Sequence, residues 1–257
     1  MLAQRDALLA RLSTVIRRLR AARRLLRVLL HVLHGLAIVL LRFPLPQPER
    51  RARVQWWAAK MLRVAGVELD VLGAAREGGT LLVSNHVSWL DIVAMHALVP
   101  QARFVSKADV RHWPLLNRLV DAADTLYLAR ERRRDAMRVV HRMGEALAAG
   151  DTVAVFPEGT TGEGHVPLPF HANLLQAAIA TGTKVQPVAL RYSDATDAVS
   201  RAVAYVGDTT LVRSLWWVAC AEKLRVRVHF LEPVASAEQD RRALAAQLRG
   251  LIVTALH

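Results

Sequence analysis

Cysteine is nearly absent from this chain of 257 residues, which holds only Cys220. That excludes an internal disulfide framework and any zinc site built on several thiolates. It permits a reducing compartment. Lysine is scarce as well, four residues beside 31 arginines, and aromatic residues make up 5%. Two catalytic signatures are missing. No Gly-rich loop ends in Gly-Lys-Ser/Thr, so the chain lacks a phosphate-cradling P-loop. No Gly-x-Ser-x-Gly elbow marks a serine hydrolase. There is no internal repeat, low-complexity tract or long linker. Hydrophobic residues at 53% and charged ones at 22% exclude a disordered chain. The length suits one large domain or two small ones with a sizeable core.

What is present in excess is positive charge, a net +13. Its obvious partner is a polyanion, either nucleic acid or an acidic membrane surface. The charge is unevenly placed. Residues 1–63 hold thirteen arginines and one lysine against Asp6 and Glu49, a net +12, and the other 194 residues carry only +1. A nucleic-acid binder needs basic groups and stacking aromatics on a folded face. The nearly neutral remainder, with no recognition motif, argues against nucleic acid.

Residues 1–64 read as an arm distinct from a folded domain over 65–257. A helix over 1–24 leads into an apolar run, Val28 to Leu41, of fourteen residues. As a helix this run spans about 21 Å, short of the ~30 Å hydrocarbon core. Arg27 and Arg42 flank it, and both basic flanks favour the cytoplasmic face. Pro44, Pro46 and Pro48 break the helix. A second helix, about Gln47 to Val64, sets Trp56 and Trp57 among basic residues, a combination suited to the headgroup region. The alternatives are a pair of core-packing helices with a solvated basic face, or a signal peptide. Arg42-Phe43-Pro44-Leu45-Pro46 offers the latter no small-residue cleavage site.

Beyond Gly66, short strand-like runs alternate with helical ones. Strands are expected over 67–72, 80–84, 103–106, 125–129, 152–156, 184–192, 201–206 and 224–231. Helices are expected over about 88–99, 130–149, 170–181 and 235–256. The alternation predicts an α/β domain with a mixed sheet flanked by helices.

Two segments carry chemistry. In Val83-Ser84-Asn85-His86-Val87-Ser88-Trp89-Leu90-Asp91 an apolar strand ends in a loop, with Ser88 as the expected N-cap and Asp91 as the third helical residue. Asp91 can then reach back to His86, and an imidazole bonded to a carboxylate is a general base of fixed tautomer. The plainer alternative leaves Asp91 as a cap and His86 as a loop histidine. In Phe156-Pro157-Glu158-Gly159-Thr160-Thr161-Gly162 a buried strand runs into a Gly-rich loop, the kind of place where open α/β sheets bind ligands. A surface turn would fit the glycines equally well. A metal set from His86, Asp91 and His96 finds no second supporting cluster.

Together these segments resemble the glycerolipid acyltransferase family, whose best-known class is 1-acyl-glycerol-3-phosphate acyltransferase. Asn85-His86, then Asp91, then Phe-Pro-Glu-Gly-Thr some seventy residues on, carry the resemblance. Phe104–Asp109 with Trp113-Pro114-Leu115, Leu126–Arg130 and Val185–Leu190 resemble the intervening and final blocks. The resemblance spans about Val67 to Tyr192. Thr161 and Gly162 depart from it, since the family commonly has Arg-Ser there. The variant resembles members acting on lysophosphatidate in some bacteria, and others acting on lyso-ornithine lipid, an acceptor without phosphate.

The resemblance implies a glycerol-phosphate acyltransferase-like α/β fold with an N-terminal two-helix membrane-association motif. It implies acyl transfer from an acyl thioester to a lysolipid hydroxyl. First choice is 1-acyl-sn-glycerol-3-phosphate acyltransferase, with lyso-ornithine lipid acyltransferase and an inactive membrane scaffold as alternatives. It makes His86 the base, Asp91 its orienting partner, and Asn85, Lys107, Arg130, Glu158, Gly159, Thr160 and Thr161 the substrate-binding residues. It implies no metal and no resident cofactor, with acyl carrier protein or coenzyme A carrying the acyl group. The implied partners are an anionic bilayer and a lysolipid, at the cytoplasmic face of the inner membrane, through a monotopic or short anchor. Cys220, in an apolar helical run, is expected to pack rather than react.

Overall fold

The computed structural model describes residues 2–42, 45–107, 116–128 and 133–257. Two helices lead the chain, α1 (Leu2–Arg42) and α2 (Gln47–Ala65). Then follow β1 (Val67–Leu72), β2 (Thr80–Ser84), α3 (Leu90–Leu98), β3 (Arg103–Lys107), α4 (Leu116–Ala122), β4 (Leu126–Leu128), α5 (Arg133–Ala148) and β5 (Thr152–Val155). The last third holds α6 (Gln176–Thr181), β6 (Val185–Ser193), α7 (Leu211–Cys220), β7 (Leu224–Phe230) and α8 (Arg241–Leu256).

The strands form one sheet in the order β1-β7-β6-β2-β5-β3-β4. Among the described residues only the β6–β7 strand pair is antiparallel. The expected mixed sheet flanked by helices is thus the observed one. β2 and β5 are buried along their whole length, as central parallel strands covered on both faces must be. Alternate residues feed two cores. Leu82 and Ala154 join a cluster with α2 and α3, while Leu81, Val83, Val153 and Val155 join one with α5, α6 and α8.

Most element boundaries fall within a few residues of expectation; three differ more. Residues 201–206 are not a strand: Arg201–Val203 form a short 3-10 turn. Both sides of β6 are already paired, by β2 and β7, so no ladder position is left. Instead Ser200 donates its amide to the Tyr192 carbonyl, and Tyr205 donates to Val87. The closing helix starts at Arg241, not near Ala235, because the Asp240 carboxylate caps it by accepting the Arg242 and Ala243 amides. The helix expected over 170–181 is a 3-10 turn, Ala172–Leu175, followed by α6.

α1 is continuous over 41 residues. Thr14–Leu41 contains an 18-residue window of mean hydropathy 1.9 and is long and apolar enough to cross a membrane by length and composition, a stretch well beyond the fourteen-residue run. The helix is also fastened to the α/β body. Arg24 donates to the carbonyls of Ala219 and Ala221, at 3.1 and 2.7 Å, at the end of α7. Arg20 pairs with Glu222 at 2.6 Å. A guanidinium from one helix thereby meets the unpaired carbonyls and partial negative charge at another's C-terminus. Gly66 ends α2 at φ 81°, and any Cβ there would collide with the Arg24 guanidinium.

The tryptophan pair faces this helix seam. Trp57 stacks on His31 at 5.3 Å, and Trp56 lies edge-on to His31 and His34. α2 buries Ala58, Met61, Leu62 and Ala65, and these share the core of α3, Val67 and Val226.

Candidate active site

β2 and β5 are parallel neighbours, with Val83 opposite Val155. Their carboxyl ends therefore release two loops side by side, one carrying His86 and the other Glu158. This is the edge at which open α/β sheets place ligands.

The imidazole and carboxylate expected to meet do meet. His86 Nδ1 lies 2.7 Å from Asp91 Oδ2. A carboxylate can only accept, so Nδ1 carries a proton, and in the neutral ring Nε2 is the nitrogen with the free lone pair. The same Oδ2 accepts the amides of Val87 and Ser88, at 2.6 and 2.9 Å. Oδ1 accepts the Tyr192 hydroxyl at 2.7 Å. Asp91 is fully buried, yet its four donors match a carboxylate's acceptor capacity. Ser88 does not cap the helix. Its hydroxyl is buried and unpartnered, since the Asp91 carboxylate, a stronger acceptor, takes the loop amides.

The second loop grips the first. Glu158 Oε1 accepts the backbone N–H of His86, and Oε2 that of Leu168, both at 2.6 Å. Gly162 donates its amide to the His86 carbonyl at 2.8 Å. Both backbone polar groups of His86 are thus held by residues 158–162. Burial raises the Glu158 pKa, and the two amides oppose that rise. Phe156 stacks on the imidazole, with ring centres 4.1 Å apart and planes 13° from parallel. Phe104 stacks on Phe156, and His96 meets Phe104 edge-on.

The proposed substrate residues divide. Asn85 is buried and turned away from the cleft: its side-chain amide brackets the Leu190 backbone, donating to its carbonyl and accepting from its N–H. Glu158 has both oxygens committed to backbone amides. Neither side chain is free to bind a head group, and each instead holds the framework. Gly159, at φ 71°, and exposed Thr160 line the loop surface. Thr161 donates its hydroxyl to the Tyr205 carbonyl. Lys107 ends β3, a parallel neighbour of β5, which puts its backbone at the same sheet edge. Arg130 lies outside the described residues.

Sequence reasoning missed Tyr192 and the stacking role of Phe156. The usable signal for Tyr192 was a tyrosine within an otherwise apolar strand, where a buried hydroxyl needs a partner. Cys220 is a half-buried free thiol at the end of α7.

A profile of the Acyltransferase family matches residues 67–191. A lyso-ornithine lipid O-acyltransferase of Pseudomonas aeruginosa is 38% identical over 247 residues, covering 93% of this chain and 94% of that one. A 1-acyl-sn-glycerol-3-phosphate acyltransferase of Neisseria meningitidis is 39% identical over 180 residues, 70% of each chain. The crystal structure of the 1-acyl-sn-glycerophosphate acyltransferase PlsC from Thermotoga maritima shares the fold. Its TM-score is 0.64 at 21% identity, over 91% of this chain and 96% of that one. The chain belongs to the acyltransferase family, and it is a lysolipid acyltransferase.

Proposed function

We propose that this enzyme transfers an acyl group from a thioester, carried by acyl carrier protein or coenzyme A, to the free hydroxyl of lyso-ornithine lipid. The observation that carries the chemistry is the His86–Asp91 hydrogen bond, 2.7 Å, at the carboxyl end of β2. Nε2 of His86 takes the proton as the acceptor oxygen attacks the thioester carbonyl carbon. Asp91 holds the imidazole in the required tautomer and stabilises its protonated form. As the tetrahedral adduct collapses, the C–S bond breaks and Nε2 returns the proton to the departing thiolate. A thioester is already activated, so no enzyme-bound acyl intermediate is needed.

Thr161 supports the choice of acceptor. A threonine stands where the family commonly carries arginine, and its hydroxyl is bound to Tyr205. The loop therefore offers no guanidinium there to a phosphate. The relative from Pseudomonas aeruginosa, matched over nearly its whole length, is named for lyso-ornithine lipid. The second reading is lysophosphatidate, favoured by the 39% identity to the Neisseria meningitidis protein. Lys107 and Arg130 are assigned to the acceptor's anionic group.

We place the enzyme on the cytoplasmic face of an anionic membrane. Exposed Val15, Leu19, Leu26, Leu30, Leu33 and Leu40 recur along α1 at steps of three, four and seven residues. They form one apolar stripe about 38 Å long. The six arginines from Arg17 to Arg27 favour bedding this stripe in the interface over crossing the hydrocarbon.

The test offers purified enzyme lyso-ornithine lipid and lysophosphatidate side by side, with each thioester donor. Higher kcat/KM for lyso-ornithine lipid is expected. A higher value for lysophosphatidate overturns the choice of acceptor, and activity surviving in His86→Ala overturns the mechanism.

A further inference from the structure

We infer that Tyr192 is a positioning residue of the active site, a third member of the His86–Asp91 unit that sets the pH at which the base becomes available. This rests on the acyltransferase mechanism proposed above.

Tyr192 is fully buried near the end of β6, in the same apolar cluster as Val188 and Leu190. Its hydroxyl escapes that cluster by donating to Asp91 Oδ1 at 2.7 Å. The placement is built rather than incidental. Asn85, the residue before His86, clamps Leu190 through two hydrogen bonds, and Leu190 lies on the same strand face as Tyr192, two residues earlier. One side chain thus locks the strand that presents Tyr192 to the loop that presents His86. Burial, and the negative charge of Asp91 beside it, raise the phenol's pKa well above 10, so it stays a donor throughout the working range.

The consequence follows from charge. With His86 neutral, the His86–Asp91 unit carries one negative charge in a buried site. Four donors stabilise it: His86 Nδ1, the Val87 and Ser88 amides, and the Tyr192 hydroxyl. Removing one donor favours uptake of a proton by the unit, whichever of its two residues holds it. The other titratable group facing this pair among the described residues is Glu158, on the loop after β5. Tyr192→Phe leaves it untouched.

Tyr192→Phe deletes a single oxygen. The acid limb of kcat/KM is expected to move up by about one pH unit, the scale of one hydrogen bond to a charged group. The His86 imidazole, titrated by NMR without substrate, should shift in the same direction. Site-specific 3-fluorotyrosine at position 192 keeps ring and hydroxyl but is the stronger donor, so the limb should move down. The fluorinated protein also supplies the test should Tyr192→Phe not fold. Unchanged NMR titration and acid limb, with only a lower melting temperature, would make Tyr192 a packing residue and overturn the inference. The imidazole titration is read without turnover. Failure of acyl transfer in the wild-type protein would therefore sink the proposed function separately.

Discussion

The Glu158 carboxylate accepts the backbone N–H of His86, 72 residues earlier in the chain, at 2.6 Å. The residue that reads as a head-group ligand in the Phe-Pro-Glu-Gly-Thr segment thus anchors the loop that carries His86. Its other oxygen fixes Leu168, so one carboxylate ties three segments together.

Glu158→Gln tests this directly. An amide has one accepting oxygen, so its NH2 must face one of two backbone donors. An unsatisfied buried donor costs about 1–3 kcal/mol. A lower melting temperature and a lower kcat are expected, with KM for the acceptor little changed. A rise in KM with kcat and stability intact would instead return Glu158 to the head group.

Asp91→Asn separates the charge beside His86 from folding. Its oxygen can keep the Val87 and Ser88 amides while its NH2 turns to the Tyr192 oxygen, so the fold should survive. The negative charge beside His86 is lost, and kcat should fall by roughly 10³- to 10⁴-fold. Circular dichroism and steady-state kinetics on the same sample check both halves.

His96 predicts a pH dependence of stability. Burial lowers its pKa from 6.5 to about 4, and its Nδ1 has no partner. The unfolded chain therefore binds a proton that the folded chain refuses. The native state keeps its full stability above pH 6.5 and loses it as pH falls toward 4, by about 3 kcal/mol for this residue. Urea midpoints measured at pH 7 and pH 5 should differ less in His96→Leu than in the wild type. Equal differences would remove His96 as the cause.

Arg24 predicts that the arm is stapled down. Arg24→Ala leaves the last carbonyls of α7 without their donor, at an expected cost of about 1–2 kcal/mol. Hydrogen exchange should rise at the end of α7. Deleting residues 1–42 should both abolish binding to anionic vesicles and destabilise the body, because Val28 is part of its core. Binding that survives the deletion would place the membrane contact elsewhere.

Much of the fold was legible from local pattern. β1, β2, β5 and the ends of α5 and α6 follow from apolar runs punctuated by Gly79, Gly150 and Gly182, where periodicity and turn chemistry act over a few residues. Residues 201–206 failed because an apolar run states a wish to be buried, not a partner. The ladder positions beside β6 were already taken. Asn85 and Glu158 read as head-group ligands in the sequence, since composition cannot show that their polar atoms are already engaged with Leu190, His86 and Leu168.

The sequence by itself determined the His86–Asp91 pair. The two residues sit five apart across one strand-to-helix turn, close enough for the carboxylate to reach back to the imidazole. It also determined the concentration of charge in the first quarter of the chain, which composition alone reveals. Only the tertiary structure decided what completes the site. Tyr192 reaches Asp91 across 101 residues, and Glu158 reaches His86 across 72. Arg24 ends up on α7 rather than on a lipid. Such partners follow from which strands lie side by side, and strand order comes from packing two apolar faces of one sheet at once, not from any local run of residues.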